Sequence, residues 1–291
     1  MRLVYLNGAF IPQDEARISI MDRGFLFADA VYEVIPVYNG KCFRLTEHID
    51  RLNQSLQSIH LDTMHTFQQW NDIITKLVEK NGGGNQSLYL HISRGPAPTR
   101  NHAIPEHVTP TVLLLSNPLA YPNLAQINKP SCASAISLND TRWSHCEIKS
   151  TALLASVLLS EEAKNAGADE ALLFRNGFLT EGASSNIFTV KAGVVFTPPK
   201  SQFILGGITR DLVIELMAQH HIEYREQAIS REQLESADEL WLTSSTREIT
   251  PVIRLDDKRF NDGQPGPIWK QVAQLYITYK CKLFEAKDTT N

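Results

Sequence analysis

Four cysteines in 291 residues are too scattered for a disulfide frame, and none stands in a Cys-x-x-Cys pair. Cys42, Cys132, Cys146 and Cys281 therefore point to a reducing, cytoplasmic setting and away from a thiolate zinc site. No apolar run reaches membrane-spanning length, and the opening Met1-Arg2-Leu3-Val4-Tyr5-Leu6-Asn7-Gly8 reads as a hairpin, not a secretory leader. Neither sign of charge dominates. With 28 Lys and Arg against 32 Asp and Glu, the formal charge of −4 argues against nucleic acid or an anionic membrane as partner. The nine histidines show no metal-ligand spacing, so no metal is expected, and His220-His221 reads as a helix end. Internal repeats and low-complexity tracts are lacking too. What remains is ordinary globular composition: 43% hydrophobic residues suffice for one large core or two smaller ones.

The first third reads as α/β. Leu3–Leu6 and Ala9–Pro12 flank Asn7-Gly8, and Ala30–Tyr38 and Lys41–Leu45 flank Asn39-Gly40; both dipeptides supply the positive φ of a tight hairpin turn. Thr46 can cap a helix with Ile49, Leu52, Leu56 and Ile59 at helical spacing. Phe67, Trp70, Ile74 and Leu77 mark a second helix over 66–80, stopped by Gly82-Gly83-Gly84. In the strand 87–94, Leu88, Leu90 and Ile92 alternate with Tyr89, His91 and Ser93. Thr111–Leu115 is a further strand. Pro118, Pro122 and Pro130 interrupt the pattern and suggest an interdomain connection. Beyond it a helix over 151–166, a hairpin turning at Asn176-Gly177 and strands at 186–191 and 239–243 are expected. Leu205-Gly206-Gly207-Ile208-Thr209 opens a helix through Ala218, with Thr209 as its cap, a place where free backbone N–H groups bind phosphate. A last helix covers about 268–283.

The chemistry concentrates around Lys149. It ends the stretch Arg142-Trp143-Ser144-His145-Cys146-Glu147-Ile148-Lys149, and Thr180-Glu181-Gly182-Ala183-Ser184-Ser185-Asn186 follows later. A lysine amine, a carboxylate and a hydroxyl cluster are the parts that hold pyridoxal phosphate: the amine forms a Schiff base and the carboxylate keeps the ring nitrogen protonated.

Separated motifs agree with this in order and spacing. They are Asp22-Arg23-Gly24, Val31-Tyr32-Glu33, Glu47-His48-Ile49-Asp50-Arg51-Leu52, Ile148-Lys149-Ser150, Thr180-Glu181-Gly182, Gly207-Ile208-Thr209-Arg210 and Glu248-Ile249-Thr250-Pro251-Val252. Together they make the chain resemble the class IV aminotransferases, pyridoxal-phosphate enzymes of fold type IV. The resemblance implies a small N-terminal α/β domain (1–117), a linker (118–130) and a larger C-terminal cofactor-binding domain (131–291) shaped as a pseudo-barrel. It also implies a homodimer with the active site at the subunit interface. Lys149 would be the catalytic lysine and Glu181 the partner of the ring nitrogen. Arg51, Ile208, Thr209, Ser244 and Ser245 would hold the phosphate, with Ser184 and Ser185 lining the cofactor. Tyr32 and Tyr89 would edge the substrate pocket.

Thr99-Arg100-Asn101-His102 narrows the resemblance to the branch acting on D-amino acids. There an Arg-x-His element reaches across the dimer and traps the substrate carboxylate, which would be the role of Arg100 and His102. The implied activity is a D-amino-acid:2-oxo-acid transamination in two half-reactions, with D-alanine as a typical donor. Branched-chain L-amino-acid transaminases, (R)-amine transaminases and aminodeoxychorismate lyase are rivals on the same fold. Ala28 and Ala30 depart from the family's usual glycines and put the pocket's size in question.

Overall fold

A computed structural model describes residues 2–62, 65–107, 109–119 and 130–285. The chain divides into two compact units, Met1–Tyr121 with Ile148–Leu153, and Pro122–Glu147 with Leu154–Asn291. The lysine segment thus belongs to the first unit, whereas the expected boundaries put it in the C-terminal domain. Most of the expected connection at 118–130 falls on residues outside the described ones.

The first unit is built from β1 (Leu3–Leu6), β2 (Ala9–Pro12), α1 (Arg23–Phe27), β3 (Ala30–Tyr38) and β4 (Lys41–Cys42). Then follow α2 (Leu45–Ser58), α3 (Phe67–Lys80), β5 (Gln86–Ser93) and β6 (Thr111–Pro118). Its strands form one antiparallel sheet in the order β2-β1-β6-β5-β3-β4. Asn7 and Gly8 take φ of 48° and 96°, and Asn39 and Gly40 take 48° and 74°, as the hairpin dipeptides require. Leu88, Leu90 and Ile92 pack with Ile49, Leu52 and Leu56 of α2 and Trp70, Ile74 and Leu77 of α3. Each such side chain contributes about 1.5–3 kcal/mol by leaving water. The helices therefore cover one face of the sheet. Tyr32, paired in register with His91, lies on the other.

Two expected helix starts need correction here. Leu45, not Thr46, opens α2; Arg44 precedes it at φ 57° with no side-chain cap, because buried Leu45 already belongs to the core. Thr66 does cap α3, with Gln69 completing a capping box. Residues 151–153 are not helical. Thr151 donates its N–H to the Ala30 carbonyl (3.0 Å) and its hydroxyl to that of Ala28 (3.2 Å), which holds the segment against the start of β3.

The second unit contains β7 (Ala133–Asn139), α4 (Leu154–Asn165), β8 (Glu170–Arg175), β9 (Phe178–Gly182), β10 (Asn186–Lys191) and β11 (Val194–Thr197). It continues with α5 (Ile208–Gln219), β12 (Tyr224–Glu226), α6 (Arg231–Glu235), β13 (Glu239–Ser244), β14 (Glu248–Leu255), β15 (Lys258–Arg259) and α7 (Pro267–Glu285). The strand path is β12-β11-β10-β13-β14-β7-β8-β9, with β15 on β14. β9, last on that path, returns against β10, so the sheet curls as a pseudo-barrel does. Gly207, not Thr209, precedes α5, and Thr209 is its second residue. Glu239 accepts the N–H groups of Ile268 (2.9 Å) and Trp269 (2.8 Å) and so caps α7.

Candidate active site

In the first unit, Lys149 sits in an extended segment beside β3. Its carbonyl accepts the Tyr32 N–H (2.9 Å), its own N–H donates to the Ser55 hydroxyl (3.2 Å), and Ser150 pairs with Val31. The half-buried Lys149 Nζ lies 4.3 Å from the centre of the Tyr32 ring, where the π face favours a cation. Tyr89 continues this wall, its ring 5.5 Å from that of Tyr32. The Tyr89 hydroxyl is 3.0 Å from His91 Nδ1. Burial raises the Tyr89 pKa, and burial lowers that of His91 against the pull of Asp22, so a neutral phenol and a neutral imidazole share this bond.

Arg51 lies on the sheet's helix-covered side. Its Nε and Nη2 donate to the two oxygens of Glu33 at 2.8 and 2.7 Å, and His48 Nδ1 is 2.7 Å from Glu33 Oε2. Alternation along β3 sends Tyr32 one way and Glu33 the other, onto the face that α2 covers. His48 and Arg51, three apart, meet it there. Burial works against ionisation of Glu33, but the Arg51 charge and the bonds from Arg51 and His48 outweigh it and hold the carboxyl at about 2. Burial lowers the His48 pKa in spite of Glu33. The cluster is therefore Arg⁺, Glu⁻ and a neutral histidine donating through Nδ1.

Arg100 and His102 are exposed and meet on one aromatic side chain. The Arg100 guanidinium lies 4.9 Å from the Phe27 ring centre, and the His102 ring is 5.2 Å from it. Arg23 fixes their loop by donating to the carbonyls of Asn101 (2.6 Å), His102 and Ala103. Asp29 in turn accepts bonds from both Arg23 and Arg94 at 2.8 Å.

In the second unit the central group is Glu181, buried on β9. It accepts bonds from Arg142 Nη1, from Asn186 Nδ2 (3.1 Å) and from the Leu205 N–H (3.0 Å). Arg142 is divided, however. Its Nε and Nη2 each donate to Asp140 at 3.0 Å. Burial raises the Glu181 pKa to about 7; Arg142 opposes this, and the Asp140 charge adds to it. Asn186 also reaches the Leu205 carbonyl (2.8 Å), and a Cβ on Gly207 would stand 2.0 Å from Asn186 Oδ1. Glycine at 207 therefore allows the α5 terminus to approach the carboxylate's own support. Gly207 provides no side-chain cap, which leaves the N–H groups at Ile208 and Thr209 suited to an anion.

The hydroxyl residues behave differently from one another. Buried Ser185 donates to Glu170 (2.9 Å), while Ser184 is exposed. Ser244 accepts the Arg247 N–H (3.2 Å) in the turn joining β13 and β14, and Ser245 is the next residue, half-buried.

The sequence pattern of the amino-transferase class IV family matches residues 30–255. A D-alanine aminotransferase of Bacillus licheniformis is 39% identical over 269 residues, covering 92% of this chain and 94% of its own. Among solved structures, the branched-chain amino acid aminotransferase of Escherichia coli is similar with a TM-score of 0.86 at 27% identity, over 100% of this chain and 97% of that one. The PLP form of the Thermobaculum terrenum branched-chain aminotransferase gives 0.82 at 28% identity, over 94% and 92% of the two chains. The chain belongs to the class IV aminotransferases.

Class IV aminotransferases depend on pyridoxal phosphate, and the residues of this aminotransferase fit that group. A buried carboxyl with raised proton affinity suits a pyridine nitrogen, and an uncapped helix terminus behind a glycine suits a phosphate. Bonded to the expected residues are others that the sequence left without a role, namely Glu33, His48, His91, Asp140, Arg142, Glu170 and Asn186. His91 could have been found from its alternation with Tyr89. Nothing local tells which carboxylate Arg142 serves. Among the described residues, no group of three or more His, Cys, Asp or Glu could hold a metal ion, and no helix is long and apolar enough to cross a membrane.

Proposed function

We propose that this class IV aminotransferase moves amino groups from D-amino acids to 2-oxo acids. The observation that carries the reading is the Arg100-x-His102 pair seated on Phe27 and held there by Arg23, an exposed site for a carboxylate. The similarity to a D-alanine aminotransferase supports it.

The roles follow from chemistry. Pyridoxal phosphate, when bound, supplies the electron-withdrawing ring that makes the substrate Cα–H acidic. Lys149 Nζ holds the cofactor and takes the Cα proton, and the Tyr32 ring beside it shapes the space for a substrate side chain together with Tyr89. Glu181 holds a proton at the ring nitrogen, a role that its proton affinity of about 7 fits. The N–H groups at Ile208 and Thr209, the Thr209 hydroxyl, Arg51 oriented by Glu33, and the turn at Ser244 and Ser245 take the phosphate. Ser184 and Ser185 border the cofactor. A carboxylate fixed by Arg100 and His102 leaves one enantiomer with its Cα–H toward Lys149.

A homodimer is part of the proposal. Each unit exposes large apolar residues by more than half, Ile18, Ile20, Phe25 and Ile104 in the first and Leu154, Val157 and Leu158 in the second, as suits surfaces that a second copy covers. Arg100 and His102 would then act at the partner's cofactor. Four free cysteines support the cytoplasm as location.

The decisive experiment is a single-turnover half-reaction with each enantiomer of alanine, glutamate and leucine, followed in the cofactor spectrum. D-amino acids should convert the aldehyde form and L-amino acids should not. Arg100→Ala should weaken D-amino-acid use about ten- to a hundredfold while leaving cofactor binding nearly intact. Rapid conversion by L-leucine would move the chain to the branched-chain specificity of its structural neighbours. Borohydride reduction should fix the pyridoxyl group on Lys149; a label on another lysine overturns that assignment.

A further inference from the structure

Lys280, far along α7, is 0% exposed, a costly place for an ammonium group. It donates to Glu248 Oε1 at 2.5 Å, and the Glu248 side chain is 9% exposed. Glu248 closes the turn that joins β13 to β14, pairing with Ser244 in register. Its φ is +53°, the left-handed region that glycine or asparagine usually fills. The neighbouring Arg247 is tied elsewhere, to Glu170 on β8 (3.0 Å), and its carbonyl accepts the Thr250 hydroxyl (2.9 Å). Beside the turn opens a pocket of about 120 Å³, bordered by Thr246, Glu248, Trp269, Tyr276 and Ile277. Ion pairs to two different elements, α7 and β8, hold the turn.

We propose that Lys280 is a positioning residue for the anion-binding turn at Ser244 and Ser245. Through Glu248 it fixes the backbone angle that aims the turn, and so couples phosphate affinity to the C-terminal helix. This rests on the reading that the turn takes the cofactor phosphate.

The test compares binding of pyridoxal phosphate and of pyridoxal, which lacks the phosphate, to the full-length apoenzyme by fluorescence titration. Lys280→Met should lower affinity for pyridoxal phosphate at least about tenfold and leave pyridoxal binding within about twofold. Because that variant also takes a positive charge from beside a buried carboxyl, two double variants separate charge from backbone geometry. Lys280→Met with Glu248→Gln removes both charges but keeps a side chain at positive φ, and affinity should stay low. Lys280→Met with Glu248→Gly relieves the angle, and affinity should return toward that of the wild type. Equal losses for both ligands, or equal affinities of the two double variants, overturn the proposal. Ser245→Asp tests the underlying reading, because a carboxylate in the turn repels phosphate. If Ser245→Asp leaves the preference for pyridoxal phosphate intact, the turn is not the anion site and both ideas fall. If Ser245→Asp abolishes it while Lys280→Met does not, only the role of Lys280 falls.

Discussion

Glu33 in the first unit and Glu181 in the second are both buried carboxylates bonded to an arginine. Glu33 has Arg51 through two nitrogens and a histidine besides. Glu181 receives one nitrogen of an arginine whose other two serve Asp140. Glu33 is held ionised at about 2, whereas Glu181 rises to about 7. Desolvation is the largest influence on each, so the difference lies in how much cationic charge each carboxylate has to itself. The first is a fixed anion orienting an arginine. The second is a group poised to share a proton.

The largest effect is expected at Glu33. Glu33→Ala leaves Arg51 buried without this partner and should destabilise the protein by about 3–5 kcal/mol in urea unfolding. A loss under about 1 kcal/mol would mean that the cluster is not a structural anchor.

The two carboxyls should also give opposite pH dependences in the apoenzyme. The depressed pKa of Glu33 contributes stability that is present above about 4.5 and lost as pH falls toward about 2, on the order of 3 kcal/mol. Glu181 is raised, so its contribution is full below about 4.5 and lost as pH rises through about 7, again on the order of 3 kcal/mol. Unfolding of Glu181→Gln across pH 3–8 should lack the second slope and keep the first. The same variant should bind the cofactor yet turn over about a hundredfold more slowly, because an amide does not hold the ring proton. Near-normal turnover would exclude Glu181 as the ring partner.

A finer test sharpens the cause. Asp140→Asn removes the charge that competes for Arg142, so the Glu181 titration should move down by about one unit, in the direction of Glu33. Infrared titration of the carboxyl band reads this directly, and an unmoved band would mean that burial alone sets the value.

The smallest expected effect concerns Ala28, which closes α1 at φ 56° and whose carbonyl receives Thr151. Ala28→Gly relieves a left-handed alanine and should stabilise the first unit by about 1 kcal/mol, seen as a higher unfolding midpoint.

Much of the fold was legible because its signals are local. Asn-Gly dipeptides gave the turns at 7–8, 39–40 and 176–177, and the latter also takes positive φ at both residues (53° and 82°). The leucine alternation of β5 and the stripes of α2 and α3 gave the first core. Short elements such as β12 and α6, three and five residues long, carry no period and were missed. The helix starts at 45, 154 and 208 were misplaced because core packing, the bonds of Thr151 to β3 and the Gly207 approach to Asn186 override the nearest threonine.

By itself the sequence determined the family, the lysine segment and the glycine turn that opens a helix, since each is a contiguous run whose residue types are its chemistry. Only the tertiary structure decided which charge each buried group meets. Arg142 and Glu181 are 39 positions apart, Glu248 and Lys280 are 32 apart, and Glu33 finds Arg51 across 18. Proton affinity and turn geometry depend on distance and burial in space, and those are properties of the packed chain.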